Sequence, residues 1–424
     1  MPKKPVNWNR LATSVSCETL TLPPETLAEK RCSTYRTSSI EELKTTAQFE
    51  KRAMSMKISL FYELTTQDPD VPGAVKQRFD EALEQIRYAD ELGFDTVWAV
   101  EHHFLPGYSH LSCPEQFLAA AAMVTKRIRL GHAIMHMPFK INHPFRVAEH
   151  VGTLDVLSGG RVEFGAGRAT SQEELFGFGV EPTETQPQWE EVLHLLPKMW
   201  TQKVFEGWES KYIKLPPRRV TPQPIQKPFP PMWVASNQPY SVEFAGKNGL
   251  GCLGFGVSDA HCANYVQMYR EAIKLAKPEH GIINNQFGIL RVALCTPTDD
   301  EAIALQEPNY RLFYAQVTGL FAPWLEGKPP PTYEYIIQSF KEQLAMDRTY
   351  SMKELVEAGQ AIIGSPQTCT RFINKFIDAG VDEVLLFMQG ATTPHDKIMD
   401  SIRLFAEEVR PQLKLQNMSV VSHK

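Results

Sequence analysis

Residues 141–168, INHPFRVAEHVGTLDVLSGGRVEFGAGR, contain the stretch that decides the fold. Apolar side chains recur at helical spacing over 145–157, and a short apolar run follows at 161–165. The pattern predicts a helix and then a strand. The strand ends in the small residues Gly165, Ala166 and Gly167, followed by Arg168. This stretch is therefore one unit of an alternating α/β fold.

The same alternation runs outward from this unit in both directions. Helical spacing also covers residues 76–92 and 395–409, and a further helix begins at Pro114. Eight strands, each followed by a helix, imply a parallel sheet with crossover connections. Because the strands are almost continuously apolar, closure into a TIM (β/α)8 barrel is favoured over an open sheet. The predicted strands are 57–64, 94–100, 128–134, 161–165, 231–235, 250–255, 287–294 and 381–388.

The chain divides into three parts by composition. Residues 1–55 are rich in Ser, Thr, Lys and Glu and lack periodicity, so we expect a mobile or loosely ordered N-terminal extension. Residues 56–415 form the barrel domain, and 416–424 a short tail. Two segments depart from the repeat. Residues 203–231 contain seven prolines, and we expect them to form a surface excursion. We expect residues 318–335 to form a Pro-rich loop that acts as a lid.

Composition excludes several classes of function. The formal net charge is −5 and the pI is about 6.2, without a dense basic stripe, which argues against nucleic acid and anionic membranes as partners. No apolar stretch reaches the length of a transmembrane helix, and the start lacks the layout of a secretory signal. The seven cysteines are scattered and form no CxxC pair. We therefore expect a cytoplasmic protein without disulfides.

The ends of the predicted strands hold the candidate functional residues, because a barrel carries its active site there. His102 and His103 follow the second strand. A neutral imidazole at this place can hydrogen-bond a cofactor or act as acid and base. The alternative is a histidine satisfied by neighbouring backbone. Since successive residues of an extended chain point in opposite directions, the two histidines cannot both bind one metal ion.

Two further segments could hold a phosphate. Arg168 after strand four offers a fork of donors, and the small residues before it allow a flat or phosphorylated ligand to approach; the alternative is a glycine-rich turn with a surface arginine. The segment is not a dinucleotide fingerprint, because Thr170 occupies the third glycine position. Ser236 and Asn237 precede a helix, where they either bind phosphate or cap the helix.

A metal centre is not expected. His132, His136 and His143 surround the third strand, but they form neither an HxH pair nor an HExxH motif. The HxH motif of barrel metallohydrolases is also absent from the end of the first strand, which reads Glu63-Leu64.

Taken together, these segments resemble the bacterial luciferase family of flavin-dependent monooxygenases. No single motif is decisive, but their order and spacing from Met56 to about Leu415 are specific. The matching segments are GFDTVWAVEHHF (93–104), RIRLGHAIMHMP (127–138), residues 141–168, PPMWVASNQPYSVEFAGKNGLG (230–251) and DAGVDEVLLFM (378–388).

The resemblance implies a TIM barrel that binds reduced FMN, delivered by a separate NAD(P)H:flavin reductase. Dioxygen would form a flavin C4a-peroxide that oxygenates a small organic substrate. His102 matches the family's catalytic histidine, Arg168 the arginine that holds the FMN phosphate, and Ser236 with Asn237 the rest of that pocket. Ala133-Ile134 matches a non-prolyl cis peptide beneath the isoalloxazine ring.

Departures from the family narrow the range of reactions and substrates that we expect. Gly167 stands where the luciferase catalytic subunit has a reactive cysteine, so light emission from a long-chain aldehyde is not expected. His102 is retained, which favours an active enzyme over a non-catalytic flavin-binding subunit. An F420-dependent oxidoreductase of the same fold remains an alternative, and a homodimer is expected by analogy. Aromatic residues near the mouth suggest an apolar substrate: Phe61, Phe104, Tyr108, Phe176 and Phe178.

Overall fold

Eight parallel strands close into a barrel in the computed structural model of the protein, as the sequence predicts. The structure describes residues 54–416 apart from 237, 256–258, 279–281, 327–328, 336, 338–340, 342–344 and 346–348. The barrel strands are β1 Lys57–Tyr62, β2 Thr96–Ala99, β3 Arg129–His132, β4 Val162–Gly167, β5 Met232–Ser236, β6 Gly251–Gly254, β7 Phe287–Cys295 and β8 Glu383–Phe387.

Each strand pairs with the next in chain order, from β1 to β8, and β8 pairs again with β1. All of these pairings are parallel, so every strand ends at the same mouth of the barrel. The strand interiors are almost entirely buried, which is why they read as continuous apolar runs. The barrel therefore gathers the strand-end residues at one place.

Helices surround the barrel and also extend over its mouth. α1 shows the amphipathic spacing expected of a helix that packs on a sheet, with Ala82, Ile86 and Ala89 buried. Within the described ranges, no helix combines the length and apolar character needed to cross a bilayer. The helices are α1 Ala74–Glu91, α2 Pro114–Val124, α3 Pro144–Ser158, α4 Gln172–Gly177, α5 Thr185–Thr201, α6 Pro239–Lys247, α7 Asp259–Ile273, α8 Asp299–Glu326, α9 Met352–Glu357, α10 Pro366–Asp378 and α11 His395–Leu404.

The predicted loop at 318–335 is wrong in its first half. α8 continues through Pro323 to Glu326, and a short 3-10 turn follows at Pro331–Tyr333. Phe321, Trp324 and Tyr333 are buried in a second hydrophobic cluster, where the Trp324 and Tyr333 rings stack 5.2 Å apart. Because these aromatic side chains pack, the helix persists where the prolines suggested a loop.

A four-residue strand beside β7 was not predicted from the sequence. Ala361–Gly364 pairs with Val292–Cys295, the C-terminal half of β7. β7 has nine residues, and only its first half pairs with β6. The extra strand covers the edge that would otherwise remain unpaired.

The structure describes both ends of the predicted barrel domain, but only a few residues of the segments beyond them. Residues 1–53 and 417–424 lie outside the described residues, so the predicted extension and tail stay predictions. Met54–Ser55, which we assigned to the extension, pairs in antiparallel fashion with Leu415–Gln416. Regular structure thus begins two residues before the predicted domain boundary. In the segment 203–231, Trp208–Glu209 and Lys214–Leu215 form a short, largely exposed hairpin, consistent with a surface excursion.

Candidate active site

A cavity of about 260 Å³ lies at the mouth of the barrel. Most of the sequence-predicted site residues line it, contributed by the ends of different strands. They are His102 after β2, Ala133 and Ile134 after β3, Arg168 after β4 and Ser236 at the end of β5. Asn237 lies outside the described residues, so its predicted role stays a prediction.

His102 is held between two carboxyl groups. Its Nδ1 lies 3.0 Å from Glu174 Oε1 at the start of α4, and its Nε2 lies 3.7 Å from Glu63 Oε2 just beyond β1. The Tyr108 ring packs edge-on against the imidazole, with ring centroids 5.1 Å apart. The alternative interpretation, a histidine whose hydrogen bonds are satisfied by neighbouring backbone, is therefore wrong for His102.

The two carboxyl groups favour the charged form of His102. Burial opposes the imidazolium, but Glu174 and Glu63 outweigh it and raise the pKa of His102 to about 9. Burial also works against ionised Glu174, but the interaction with His102 lowers the pKa of that carboxyl to about 2. His102 and Glu174 thus form a buried ion pair at neutral pH.

Glu63 has a different environment. Its Oε1 accepts a hydrogen bond from the Tyr108 hydroxyl at 2.9 Å, whereas Oε2 has no hydrogen-bond partner in the described part of the chain. The residue is only 2% exposed. Burial is the main cause that raises the pKa of Glu63 to about 7, although His102 and Tyr108 oppose the shift. This carboxyl can consequently gain or lose a proton near neutral pH.

His103 points into a separate network, as strand alternation predicts. Its Nε2 lies 2.8 Å from Glu101 Oε1, and Glu101 Oε2 accepts from the His136 backbone N–H at 2.7 Å. Asn142 donates to both Glu101 oxygens. Burial raises the pKa of Glu101, but these donors bring it below its usual range. Glu101 therefore anchors the chain beneath the site.

Some histidines and glutamates here lie close enough to consider a metal ion. Two groups have donor atoms within 4.8 Å of one another: Glu101, His103 and His136, and His102, His136 and Glu174. In both groups the carboxylate oxygens already accept hydrogen bonds, which explains the clustering without an ion. The expectation of no metal stays a prediction.

The other two candidate histidines lie apart from the cavity lining. His132 is fully buried in β3, and desolvation lowers its pKa to about 4. His143 precedes α3, where its Nδ1 accepts from the Phe145 backbone N–H and so caps the helix.

The segment after β3 approaches β4 very closely. The Ala133–Ile134 peptide bond is cis, as the resemblance implied. A Cβ placed on Gly167 would lie 2.2 Å from Ile134 Cδ1, and one on Gly165 would lie 2.2 Å from the His132 carbonyl oxygen. At Gly165 the clash is with backbone, so only glycine fits, whereas a side chain at Gly167, which lines the cavity, would require Ile134 to move.

Arg168 reaches the cavity with only neutral partners. Its guanidinium donates to the Tyr335 hydroxyl at 3.0 Å, to the Thr332 carbonyl at 3.3 Å and to Gln186 Oε1 at 3.4 Å, and it lies over the Tyr333 ring. Within the described residues it makes no ion pair, so its positive charge is not neutralised. Arg168 is therefore not the free surface arginine of the alternative interpretation.

Ser236 ends β5 two residues before the α6 N-cap, Gln238. Its side chain is buried and donates to the Gln238 carbonyl at 3.1 Å. Gln238 Nε2 in turn donates to Ser241 Oγ at 3.1 Å. Both serines line the cavity, so the first turn of α6 faces it.

The apolar part of the lining comes partly from α8. Of the five aromatic residues expected at the mouth, Phe61 and Tyr108 line the cavity. Phe104 and Phe176, by contrast, are more than half exposed and outside its lining. The apolar lining residues include Phe255, Leu290, Phe313, Val317, Leu320 and Phe321.

Sequence reasoning missed the carboxyl groups of the site. Glu101 stands beside His102 and was quoted only as part of a motif. Glu63 was noted only because no HxH motif was present, although its position directly after a strand was a usable signal. Glu174 is 72 residues from His102 on a separate helix, and nothing in the linear spacing connects them.

Comparison with known proteins identifies the family. The model of the luciferase-like monooxygenases matches residues 56–383, and the chain belongs to that family. This confirms the resemblance drawn from the motifs.

Individual relatives share about a quarter to a third of their residues with this chain over the matched length. An uncharacterised protein of Sinorhizobium fredii, y4vJ, is 31% identical over 223 residues, which are 52% of this chain but only 61% of that protein. The oxygenase component of a flavin-dependent trigonelline monooxygenase from Acinetobacter baylyi is 24% identical over 318 residues, covering 73% of this chain and 82% of the relative.

Solved structures agree on the fold. The oxygenating constituent of 3,6-diketocamphane monooxygenase of Pseudomonas putida, in complex with FMN, superposes with a TM-score of 0.69 at 21% identity. An F420-dependent secondary alcohol dehydrogenase gives 0.64 at 18% identity. Each covers 85% of this chain and 100% of the other. At these identities, the likeness establishes the barrel fold alone.

Proposed function

We propose that the protein is the oxygenase of a two-component system, which uses reduced FMN and dioxygen to oxygenate a small apolar compound. The observation that carries the proposal is the composition of the cavity. Its lining combines an arginine that makes no ion pair within the described residues, a histidine–glutamate pair and an apolar surface from α8.

The residues at the cavity fit the flavin. The phosphate of FMN carries up to two negative charges, which suits Arg168 and the first turn of α6. Ala133 and Ile134 would support the flat ring, because Gly167 keeps the neighbouring wall free of a side chain. When bound, reduced FMN would supply two electrons to dioxygen, so that one oxygen atom enters the substrate and the other leaves as water.

The protein's own residues have three tasks in this reaction. His102, held by Glu174, presents Nε2 as a hydrogen-bond donor at the reaction site. Phe313, Val317 and Phe321 of α8 exclude water from the cavity and offer an apolar surface to the substrate. Arg168 would hold the phosphate of the cofactor in the cavity that His102 also lines.

The decisive experiment compares cofactors under anaerobic conditions. Reduced FMN, reduced F420 and reduced riboflavin are titrated against the protein, and thermal stability is compared at the same concentration of each ligand. We expect the largest stabilisation with reduced FMN, about 2.7 kcal/mol at 100 times its dissociation constant. Preferential binding of F420 would instead support hydride transfer by an F420-dependent oxidoreductase. Oxygen consumption with reduced FMN then separates an enzyme from a non-catalytic flavin-binding subunit.

Two partners belong to the proposal. Reduced FMN must come from an NAD(P)H:flavin reductase, as the name "oxygenase component" of the Acinetobacter relative indicates for that protein. A second copy of the chain would cover Met123 and Val124 of α2 and Val156 and Leu157 of α3, which are 41% to 68% exposed. A homodimer formed there should appear in sedimentation and be lost when Met123 and Leu157 are both replaced by Glu.

A further inference from the structure

Glu63 is the one carboxyl of the described mouth network that keeps an oxygen free. Glu174 accepts from His102, from the His103 backbone N–H and from the Ser171 hydroxyl, and Glu101 accepts at both oxygens. Glu63 Oε2 has no partner in the described residues, although the side chain is buried and lines the cavity. An unpartnered buried polar atom is costly and calls for an explanation.

The geometry of Glu63 directs that oxygen toward His102. The Tyr108 hydroxyl holds Oε1, and Ser109 Oγ donates to the Glu63 backbone carbonyl at 2.7 Å, so both the side chain and its backbone are fixed. Oε2 then lies 3.7 Å from His102 Nε2, the nitrogen that Glu174 does not contact. At this distance the two groups attract electrostatically, but Nε2–H remains available to a bound ligand.

We propose that Glu63 is a positioning residue that sets the charge of His102 from the side opposite Glu174. Its role in turnover rests on the proposed function. Ionised Glu63 stabilises the imidazolium and holds Nε2 toward the cavity, whereas protonated Glu63 releases it. One proton can then be taken up or released at the reaction site while Glu174 stays ionised and keeps the ring in place.

Other charged and titratable groups face the same imidazole and must be accounted for. The groups that surround His102 and Glu63 are Glu174 on α4, Glu101 beside His102, His103, Tyr108, His136 after β3 and, through Tyr108, Tyr314 on α8. Glu174 and Glu63 raise the pKa of His102 more than Glu101 does.

The experiment is an NMR titration of flavin-free protein with ¹³C-labelled histidine. The chain has 12 histidines, and the spectrum of His102→Gln assigns the resonance of His102. In Glu63→Gln, which keeps the volume and an acceptor for Tyr108, we expect the His102 midpoint to fall by about one pH unit. Glu63→Asp should restore most of the shift. His143→Ala alters only the cap of α3, leaves Glu63, Glu174 and Tyr108 in place, and should not change the midpoint.

The coupling can also be measured in the other direction. Because linkage is reciprocal, His102→Gln should raise the midpoint of the Glu63 carboxyl, followed with ¹³C-labelled glutamate. This second measurement applies even if Glu63→Gln does not fold. A His102 midpoint within about 0.2 pH units of wild type in Glu63→Gln, or an unchanged Glu63 midpoint in His102→Gln, would overturn the proposal.

Turnover provides an independent readout. The pH profile of oxygenation should lose its inflection near neutral pH in Glu63→Gln, whereas Glu63→Asp should keep it. The titrations contain neither flavin nor oxygen, so they test Glu63 even if the proposed function is wrong. Conversely, turnover with reduced FMN but without coupling in the titrations would refute the role of Glu63 alone.

Discussion

The two ends of the barrel both contain buried carboxylates, but the groups that partner them differ. Near the base, Glu383 accepts from Ser59 Oγ at 2.6 Å and from Trp98 Nε1 at 2.7 Å. Glu163 is partnered by Arg129 and by Trp233 Nε1. At the mouth, Glu63, Glu101 and Glu174 are instead partnered by histidine and tyrosine.

These partners determine which groups at each end of the barrel can change their charge. Indole, hydroxyl and guanidinium donors keep their protons across the physiological range, so the groups that donate to the base carboxyls do not titrate there, although burial raises the pKa of Glu383. At the mouth, burial raises the pKa of Glu63 to about 7, so this carboxyl can exchange a proton near neutral pH and the mouth network can respond to a ligand. We therefore propose that the base carboxylates serve stability and that those at the mouth serve chemistry.

The largest expected effect is at the mouth. His102→Ala should lower the rate of productive oxygenation by about 10²–10⁴, because it removes the polar hydrogen that faces the reaction site. His143→Ala, which alters only the cap of α3, is the control and should turn over normally. Turnover of His102→Ala within threefold of wild type, with normal FMN binding, would end the assignment.

The base should respond in stability instead. Glu383→Ala leaves Ser59 and Trp98 with buried donors that have no acceptor, and should lower the free energy of unfolding by about 2–5 kcal/mol. Chemical denaturation measures this loss. The folded fraction should retain wild-type affinity for reduced FMN; a weakened affinity would show that the two ends are not separate.

Arginines at the two ends provide a matched pair. Arg168→Ala should weaken reduced FMN by about one to two decades, but leave riboflavin, which lacks the phosphate, almost unaffected. Arg129→Ala breaks the ion pair with Glu163. It should alter the melting temperature rather than the affinity for reduced FMN. Equal losses for both flavins in Arg168→Ala would place the phosphate elsewhere.

The smallest expected effect is a pH dependence of stability. The pKa of Glu174 lies below its unfolded value near 4.5, so the ionised form stabilises the fold above that pH, and this contribution disappears as the pH falls toward 2. The melting temperature of Glu174→Gln should therefore fall less steeply than that of wild type between pH 4.5 and 2. Parallel curves would contradict the ion pair with His102.

Regular elements were largely predictable because their signals are local. The helix at 145–157 and the strand at 161–165 agree with Pro144–Ser158 and Val162–Gly167 to within two residues. The helical end of α8 was not predictable, because the buried packing of Phe321 and Trp324 against Tyr333 outweighs the proline signal. Ala361–Gly364 was missed, since a four-residue apolar run is too short to identify by period.

The sequence by itself determined the alternation of strands and helices, the end of the barrel that carries the site, and the placement of His102, Arg168 and Ser236 there. Periodicity and strand order are properties of neighbouring residues, so they can be read along the chain. Only the tertiary structure decided that Glu63 and Glu174 flank His102, 39 and 72 residues away along the chain. Burial and proximity set the charge of these groups, and both arise only when distant segments pack together.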